Sequence, residues 1–254
     1  MNLNNGIIVP MITPLLDDDN LDLEGLQNLT EHLIGGGVDG LFILGTTGEG
    51  PSLDYSLRME LIKHVSDQVD GRIPLLVGIT DASFKEAVNI AEKSYEAGAQ
   101  ALIMAPPFYY QIDQKELMYY TEKMIREVSL PVYLYNIPGL TKVSFEPETI
   151  KELLKIPEII GVKDSSANML YFQKILRYTK EADKPLLIGP EELLMESLLL
   201  GGDGGVPGGA NISPELYVNI YDSFKAGNLD EARKLHCKLM HLSEVVYSGN
   251  GYGS

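Results

Sequence analysis

Lys163 occupies an unusual position for a lysine. It ends the apolar run Ile159-Ile160-Gly161-Val162, which has the composition of a buried strand. Burial disfavours the charged ammonium form and so lowers the pKa of the amine. A neutral amine can attack a ketone and form an imine. The position predicts a nucleophilic lysine, and the structural alternative is a lysine paired with Asp164 or another carboxylate.

Thr46 and Thr47 lie in a turn flanked by glycines, Gly45-Thr46-Thr47-Gly48-Glu49-Gly50. Two adjacent hydroxyls, together with exposed backbone N–H groups, form a suitable cradle for a carboxylate. The alternative is an ordinary glycine turn whose threonines cap the helix that follows.

Two tyrosines follow strand-like runs and have the chemistry of proton carriers. Tyr135 ends the run Tyr133-Leu134-Tyr135, and a buried phenol beside an imine can pass a proton to it. The alternative is a tyrosine that only packs in the core. Tyr109 and Tyr110 follow Pro106-Pro107-Phe108, where an exposed aromatic pair is equally compatible with an oligomer contact.

These residues must be positioned by strands that alternate with amphipathic helices along the whole chain. The predicted strands are near-continuous apolar runs, typical of parallel strands that are buried on both faces. They are Gly6–Ile12, Gly40–Gly45, Pro74–Ile79, Ala101–Ala105, Pro131–Asn136, Ile159–Lys163, Pro185–Ile188 and Gly204–Gly208.

Eight strand–helix units of about 25–30 residues each favour a closed (β/α)8 TIM barrel. A doubly wound open sheet is the second choice, weakened because no Gly-x-Gly-x-x-Gly follows the first strand. Functional groups of such barrels gather at the C-terminal ends of the strands, where Lys163, the two threonines and the tyrosines named above lie. We predict a catalytic barrel over residues 1–224 and a short helical extension over 225–254. We expect this extension to be truncated, because it ends in the turn-like run Ser-Gly-Asn-Gly-Tyr-Gly-Ser.

Composition limits the partners and the compartment. The chain of 254 residues carries a formal net charge of −16, which argues against nucleic acid and anionic membranes as partners. The lone Cys237 cannot form an internal disulfide, and no signal peptide or membrane-spanning run is visible, so we expect a cytoplasmic protein. Four histidines lie on predicted helices without metal-ligand spacing, so no metal is expected.

Taken together, the motifs resemble those of the dihydrodipicolinate synthase / N-acetylneuraminate lyase family. The matching elements are Gly-Thr-Thr-Gly-Glu at 45–49, Pro-Phe-Tyr-Tyr at 107–110, Tyr-Asn-Ile-Pro at 135–138, Gly-Val-Lys-Asp at 161–164 and the glycine-rich eighth strand ending at Asn211. They occur in the family's order over nearly the whole chain, so the joint match is far more specific than any one element.

The resemblance implies a class I aldolase or lyase that handles pyruvate. Lys163 would form an imine with pyruvate, so that no further cofactor is needed. Thr46 and Thr47 would hold the pyruvate carboxylate. Tyr135 would pass protons to and from the imine and the substrate hydroxyl, with Thr46 and Tyr109 as its relay.

The resemblance also implies an assembly. In the family, the tyrosine matching Tyr109 reaches into the neighbouring subunit's site, which implies a homotetramer built from dimers. The backbone around Val206 would face the carbonyl end of pyruvate.

One departure from the pattern bears on the substrate. Dihydrodipicolinate synthases carry an arginine shortly after Tyr-Asn-x-Pro, whereas Leu140 stands here and cannot pair with a carboxylate. Ser165, Glu191 and Glu192 resemble groups that receive sugar hydroxyls, although two first-turn glutamates also favour a helix dipole. We therefore predict an aldolase that cleaves or forms a 2-keto-3-deoxy sugar acid.

Three alternatives stay open. N-acetylneuraminate lyase and dihydrodipicolinate synthase, which condenses pyruvate with aspartate semialdehyde, belong to the same family. The non-enzyme alternative is a protein that binds pyruvate or a sugar acid without turnover. Replacing Lys163 distinguishes an enzyme from a binder, because only an enzyme would lose turnover.

Overall fold

The computed structural model describes residues 5–17 and 20–248. Most of the turn-like C-terminal run noted in the sequence, residues 249–254, lies outside the described residues. Eight strands form the central sheet: β1 Gly6–Pro10, β2 Gly40–Ile43, β3 Leu75–Gly78, β4 Ala101–Met104, β5 Val132–Asn136, β6 Ile159–Asp164, β7 Leu186–Ile188 and β8 Gly204–Gly205.

The strands are parallel and form a closed barrel in chain order. The first strand completes the ring, because β1 pairs with β2 at Val9↔Leu41 and with β8 at Gly6↔Gly204. The predicted (β/α)8 barrel is confirmed, and the open doubly wound sheet is wrong. Closure leaves no unpaired strand edge, so the C-terminal ends of all eight strands surround one mouth.

A helix follows each strand. The helices are α1 Leu23–Gly35, α2 Tyr55–Val69, α3 Phe84–Glu96, α4 Gln114–Glu127, α5 Pro147–Leu153, α6 Met169–Glu181, α7 Leu194–Leu200 and α8 Pro214–Lys225. Several begin at a side chain that accepts a backbone N–H bond, as Asp54 does from Leu57, which satisfies an otherwise unpaired donor. Among the described residues there is also a one-turn helix, Pro138–Thr141, before α5. The last helix, α9 Leu229–Val246, packs against α8 and against the turn Glu191–Leu193.

Three differences from the sequence prediction stand out. The eighth strand is shorter than predicted, because Pro207 has no amide hydrogen to donate and the chain turns into a 3-10 helix, Gly208–Asn211. The predicted helix from Glu191 begins as a separate 3-10 turn. A two-stranded antiparallel ribbon, Leu15–Asp17 with Asn20–Leu21, was not predicted, because its first strand is exposed throughout and shows no alternation.

Two hydrophobic layers hold these elements. The larger one lies between the strands and the helices, and the smaller one fills the barrel interior. The interior layer includes Phe42, Tyr133 and Leu187 and ends at Tyr135 and Val206, which lie at the C-terminal ends of their strands. The interior is therefore packed up to the floor of the mouth. In residues 5–17 and 20–248, no helix is long and apolar enough to cross a membrane.

Candidate active site

A cavity of about 550 Å³ opens at the C-terminal ends of the strands. Every site residue predicted from the sequence lines it except Tyr109: Thr46, Thr47, Tyr135, Lys163, Ser165, Glu191 and Val206. These residues come from loops that are far apart in the chain, and the barrel brings them together because parallel strands all end at one face.

Lys163 lies at the floor of this cavity with only 4% of its surface exposed. The parallel register sets it beside Tyr135, and its Nζ lies 4.0 Å from the centre of the Tyr135 ring and 4.8 Å from that of Phe42. Burial lowers the pKa of the amine, and the interaction with Tyr135 only partly opposes this shift. The surroundings therefore favour the neutral, nucleophilic form.

Asp164 does not pair with Lys163, so that structural alternative is wrong. Successive strand residues point to opposite faces, and the Asp164 carboxylate lies on the side away from the cavity. It accepts hydrogen bonds from Asn136 Nδ2 at 2.9 Å and from Ser166 Oγ at 3.0 Å. Among the ion pairs of residues 5–17 and 20–248, none includes Lys163.

The Thr46–Thr47 loop is held rigidly at the edge of the cavity. Thr46 Oγ1 lies 3.4 Å from the Tyr135 hydroxyl, at the limit of hydrogen bonding. The Thr13 hydroxyl donates to the Gly48 carbonyl at 2.7 Å. A Cβ at Gly48 would come within 2.6 Å of the Met11 carbonyl oxygen, so this close approach requires glycine.

Arg58 holds the segment that directly follows this loop, and it was not identified from the sequence. It is buried, pairs with Asp81 at 2.8 Å, and donates to the carbonyls of Leu53 and Pro51 at 2.9 and 3.1 Å. Tyr55 donates to the same carboxylate at 3.2 Å. An arginine in an amphipathic helix normally faces solvent, so nothing in its sequence context distinguishes it.

Glu191 is a buried acidic residue on the other side of the cavity from Lys163. It is 2% exposed and accepts bonds from the Gly209 N–H and the Tyr217 hydroxyl, each at 2.7 Å. Burial raises the pKa of its carboxyl, and these two donors partly oppose the shift. One of its oxygens therefore holds the Gly208–Asn211 turn and the other holds Tyr217 on α8. The neighbouring Glu192 carboxylate accepts from Ser243 on α9.

Comparison with known proteins identifies the lineage. Residues 3–251 match the dihydrodipicolinate synthetase family. The chain belongs to this family. The resemblance seen in the sequence motifs is confirmed.

Relatives within the family differ in their described activities. The chain is 35% identical over 244 residues to a probable 2-dehydro-3-deoxy-D-pentonate aldolase, YjhH, of Escherichia coli, covering 95% of this chain and 81% of the relative. A dihydrodipicolinate synthase structure from Bacteroides thetaiotaomicron is 50% identical, with a TM-score of 0.95, covering 100% of this chain and 86% of that one. YagE from Escherichia coli, whose structure contains pyruvate, is 32% identical with a TM-score of 0.92, covering 96% and 83%.

Tyr109 stands apart from the cavity of its own chain. Its side chain is 84% exposed, its backbone φ is +86°, and its ring meets the edge of the Tyr110 ring at 4.9 Å between centroids. A smaller apolar cavity of about 230 Å³ adjoins the first and shares Thr46, Tyr135 and Leu140 with it. The relay function that the family implies for Tyr109 stays a prediction.

Tyr217 and Tyr247 are site residues that the sequence did not single out. Tyr217 lies within α8, where it looks like an ordinary core residue. Tyr247 follows α9 and lines the main cavity. No local pattern marks either one, because each reaches the site through the packing of a helix on the barrel.

Within the described ranges, no group of three or more His, Cys, Asp or Glu side chains is placed to hold a metal ion.

Proposed function

We propose that this protein is a class I, carbon–carbon-cleaving aldolase that forms an imine between Lys163 and pyruvate. The observation that carries the proposal is the Lys163 amine itself, buried at the floor of the cavity beside Tyr135 and remote from the Asp164 carboxylate. Membership of the dihydrodipicolinate synthetase family, with relatives named as aldolases, supports the same enzyme class.

The chemistry requires one nucleophile and one proton carrier. Lys163 Nζ attacks the ketone carbon, and Tyr135 gives a proton so that water leaves and a protonated imine forms. The Tyr135 phenolate then takes the proton of the C4 hydroxyl while the C3–C4 bond breaks and its electron pair enters the imine. Tyr135 returns this proton to C3 of the resulting enamine, and water hydrolyses the imine to release pyruvate and restore both groups. No further cofactor enters this scheme.

In this proposal the Thr46–Thr47 loop binds the carboxylate of pyruvate. Thr46 and Thr47 line the cavity beside Lys163, where their hydroxyls and the loop N–H groups suit the pyruvate carboxylate. In the same proposal the backbone around Val206 faces the carbonyl end of pyruvate, and it is held in place by the bond from the Val206 N–H to the Ile188 carbonyl at 2.8 Å.

The substrate that we favour is a 2-keto-3-deoxy sugar acid. Leu140 lines both cavities and offers no charge to a second carboxylate. Of the described residues that line these cavities, Lys163 is the one basic side chain. Ser165 and Glu192 offer polar groups suited to hydroxyls. Relatives named as pentonate and gluconate aldolases support this choice.

Condensation of pyruvate with aspartate semialdehyde is the second candidate. A protein named dihydrodipicolinate synthase shares 50% identity with this chain, which favours that activity. The described cavity walls contain no basic side chain other than Lys163. This opposes the second candidate, because the carboxylate of aspartate semialdehyde would be left unpaired and poorly bound. N-acetylneuraminate cleavage belongs in the same screen.

Borohydride trapping with pyruvate, followed by peptide mass mapping, tests the enzyme class. A reduced pyruvyl adduct on Lys163 is expected, and its absence from folded protein would favour the binding-protein alternative. Lys184 is a matched internal control: burial lowers its pKa also, but its Nζ bonds the Leu154 and Ile156 carbonyls, away from the cavity. Trapping at both lysines would show that the cavity confers no selectivity.

Cleavage assays then identify the substrate. 2-Keto-3-deoxygluconate, its galacto epimer and N-acetylneuraminate are compared with condensation of pyruvate and aspartate semialdehyde. Aspartate semialdehyde as the best partner would contradict the interpretation of Leu140.

The assembly and the compartment complete the proposal. The family implies a homotetramer in which Tyr109 enters the neighbouring site, and the high exposure of Tyr109 in the single chain supports an intersubunit contact. Sedimentation of wild-type protein and of Tyr109→Ala tests this, with the variant expected to dissociate or to lose turnover. The cytoplasmic compartment is proposed from the composition of the chain.

A further inference from the structure

The end of α9 contributes Tyr247 to the wall of the Lys163 cavity. The helix is fixed before this point, because Ala232 and Leu239 are buried in the core and Ser243 donates to the Glu192 carboxylate. Tyr247 itself is 44% exposed, so its ring faces both protein and solvent. The tyrosine is thus held at the mouth of the cavity by a well-anchored element.

The Tyr247 hydroxyl lies farther from Glu191 than the two other donors to this carboxylate do. It lies 3.4 Å from Glu191 Oε2, whereas Gly209 N–H and Tyr217 hydroxyl each lie 2.7 Å from the carboxylate. Hydrogen bonds weaken at such distances. Turning this hydroxyl towards a ligand therefore leaves the Glu191 carboxylate with its two short bonds.

Gly208 makes room for the Tyr247 hydroxyl. A Cβ at Gly208 would lie 2.6 Å from that oxygen, closer than atoms tolerate. The next neighbour, Thr47 Oγ1, would lie at an ordinary 3.6 Å. The glycine is therefore needed for the approach of the tyrosine, which lies close to the carboxylate-binding loop.

We propose that Tyr247 determines specificity for the aldehyde-derived end of the substrate by hydrogen bonding to one of its hydroxyls, and that Gly208 permits this position. The inference rests on the proposed aldolase function. When the keto acid end is held at Lys163 and Thr47, the rest of a hydroxylated chain must extend along the remaining walls. Tyr247 offers there both a hydroxyl and a ring face, which suit a polyol chain.

The test compares two aldehydes that differ in hydroxyl groups. Glyceraldehyde and propanal are each condensed with pyruvate, and the ratio of their kcat/KM values is measured. Tyr247→Phe should lower the glyceraldehyde-to-propanal ratio about three- to tenfold, the loss of one hydrogen bond. Gly208→Ala should lower it similarly by displacing the hydroxyl. The double variant should match Tyr247→Phe alone, because phenylalanine has no oxygen for the new Cβ to meet.

Matched controls are Tyr95→Phe, at an exposed tyrosine on α3, and Gly35→Ala, where a Cβ would meet nothing within 4 Å. An unchanged ratio in Tyr247→Phe would overturn the inference, as would effects of the two variants that simply multiply. Borohydride trapping with pyruvate separates the two proposals. If wild-type protein forms no pyruvyl adduct, both the aldolase function and the inference are contradicted. If the adduct forms but Tyr247→Phe leaves the glyceraldehyde-to-propanal ratio unchanged, only the inference is contradicted.

Discussion

The two sides of the cavity each contain a buried ionisable group beside tyrosines, yet they are organised differently. On one side, Lys163 lies against the Tyr135 and Phe42 rings and its pKa is lowered by burial. On the other side, the pKa of Glu191 is raised by burial, and its carboxylate accepts bonds from Gly209 and Tyr217.

Burial alone therefore does not distinguish a reactive group from a supporting one. Desolvation shifts both groups towards their neutral forms. The difference lies in the hydrogen bonds. The Glu191 carboxylate binds Gly209 and Tyr217, whereas the Lys163 amine faces the cavity beside the Tyr135 ring, and the Tyr135 hydroxyl lies 3.4 Å from Thr46 Oγ1. We expect substitutions on the Lys163 side to change turnover, and substitutions on the Glu191 side to change stability.

Lys163→Met should give the largest effect, a fall in kcat of at least about 10⁴-fold, because no imine can form. The methionine fills a similar volume, so the fold should be kept. Single-turnover cleavage of 2-keto-3-deoxygluconate measures the loss, and Lys184→Met is the control. Residual turnover within a hundredfold of wild type would contradict the imine mechanism.

The same variant should change the pH dependence of stability. The pKa of Lys163 is lowered in the folded state from its usual 10.5, so the unfolded chain binds more protons between the two values. This group therefore makes the wild-type free energy of unfolding rise with pH in that window, below 10.5. Denaturant titrations of Lys163→Met should lack this contribution, and parallel curves for both proteins would contradict the assignment.

Tyr135→Phe should lower kcat about 10²- to 10⁴-fold, the usual contribution of a positioned proton carrier. The ring stays against Lys163 while the hydroxyl is lost. The pyruvyl adduct should still be trapped, more slowly, which separates proton transfer from imine formation. A fall in kcat of tenfold or less would indicate that a group other than Tyr135 transfers the proton.

Thr46→Val should lower kcat/KM about tenfold, because it removes the hydroxyl near Tyr135 while keeping the shape of the side chain. The measurement is the pyruvate dependence of condensation. Thr46→Ser keeps the hydroxyl and is the matched control. Equal losses in both variants would indicate packing rather than hydrogen bonding.

Glu191→Gln should lower the free energy of unfolding by about 1–3 kcal/mol, because an amide N–H replaces one of the two acceptors that bind Gly209 and Tyr217. Of these variants it should have the smallest effect on turnover. The folded pKa of Glu191 is raised above 4.5, so the stability that its carboxyl contributes is complete below 4.5 and declines as pH rises through the folded value. The difference in free energy of unfolding between wild type and Glu191→Gln should therefore become smaller as the pH rises. If Glu191→Gln lost as much turnover as Tyr135→Phe, the proposed difference between the Lys163 side and the Glu191 side would be wrong.

The sequence by itself determined the fold class and most of the site. Its apolar strands, each followed by an amphipathic helix, specify a barrel, and a barrel brings the strand ends to one mouth. Lys163 was recognisable because a lysine rarely ends a buried strand. Thr46 and Thr47 were recognisable because they stand immediately after a strand, and Tyr135 because it lies near the end of one. Seven of the predicted site residues line one cavity.

The tertiary structure alone decided the partners of each group. The sequence left Asp164 as a candidate partner of Lys163, and only strand register showed that it turns to Asn136. It offered Glu191 as a receiver of substrate hydroxyls, whereas packing on Tyr217 and Gly209 occupies both of its oxygens. Tyr247 and Arg58 carried no local signal. Their positions depend on contacts between distant segments, and hydrogen-bond partners across such distances are set by helix packing on the barrel rather than by neighbouring residues.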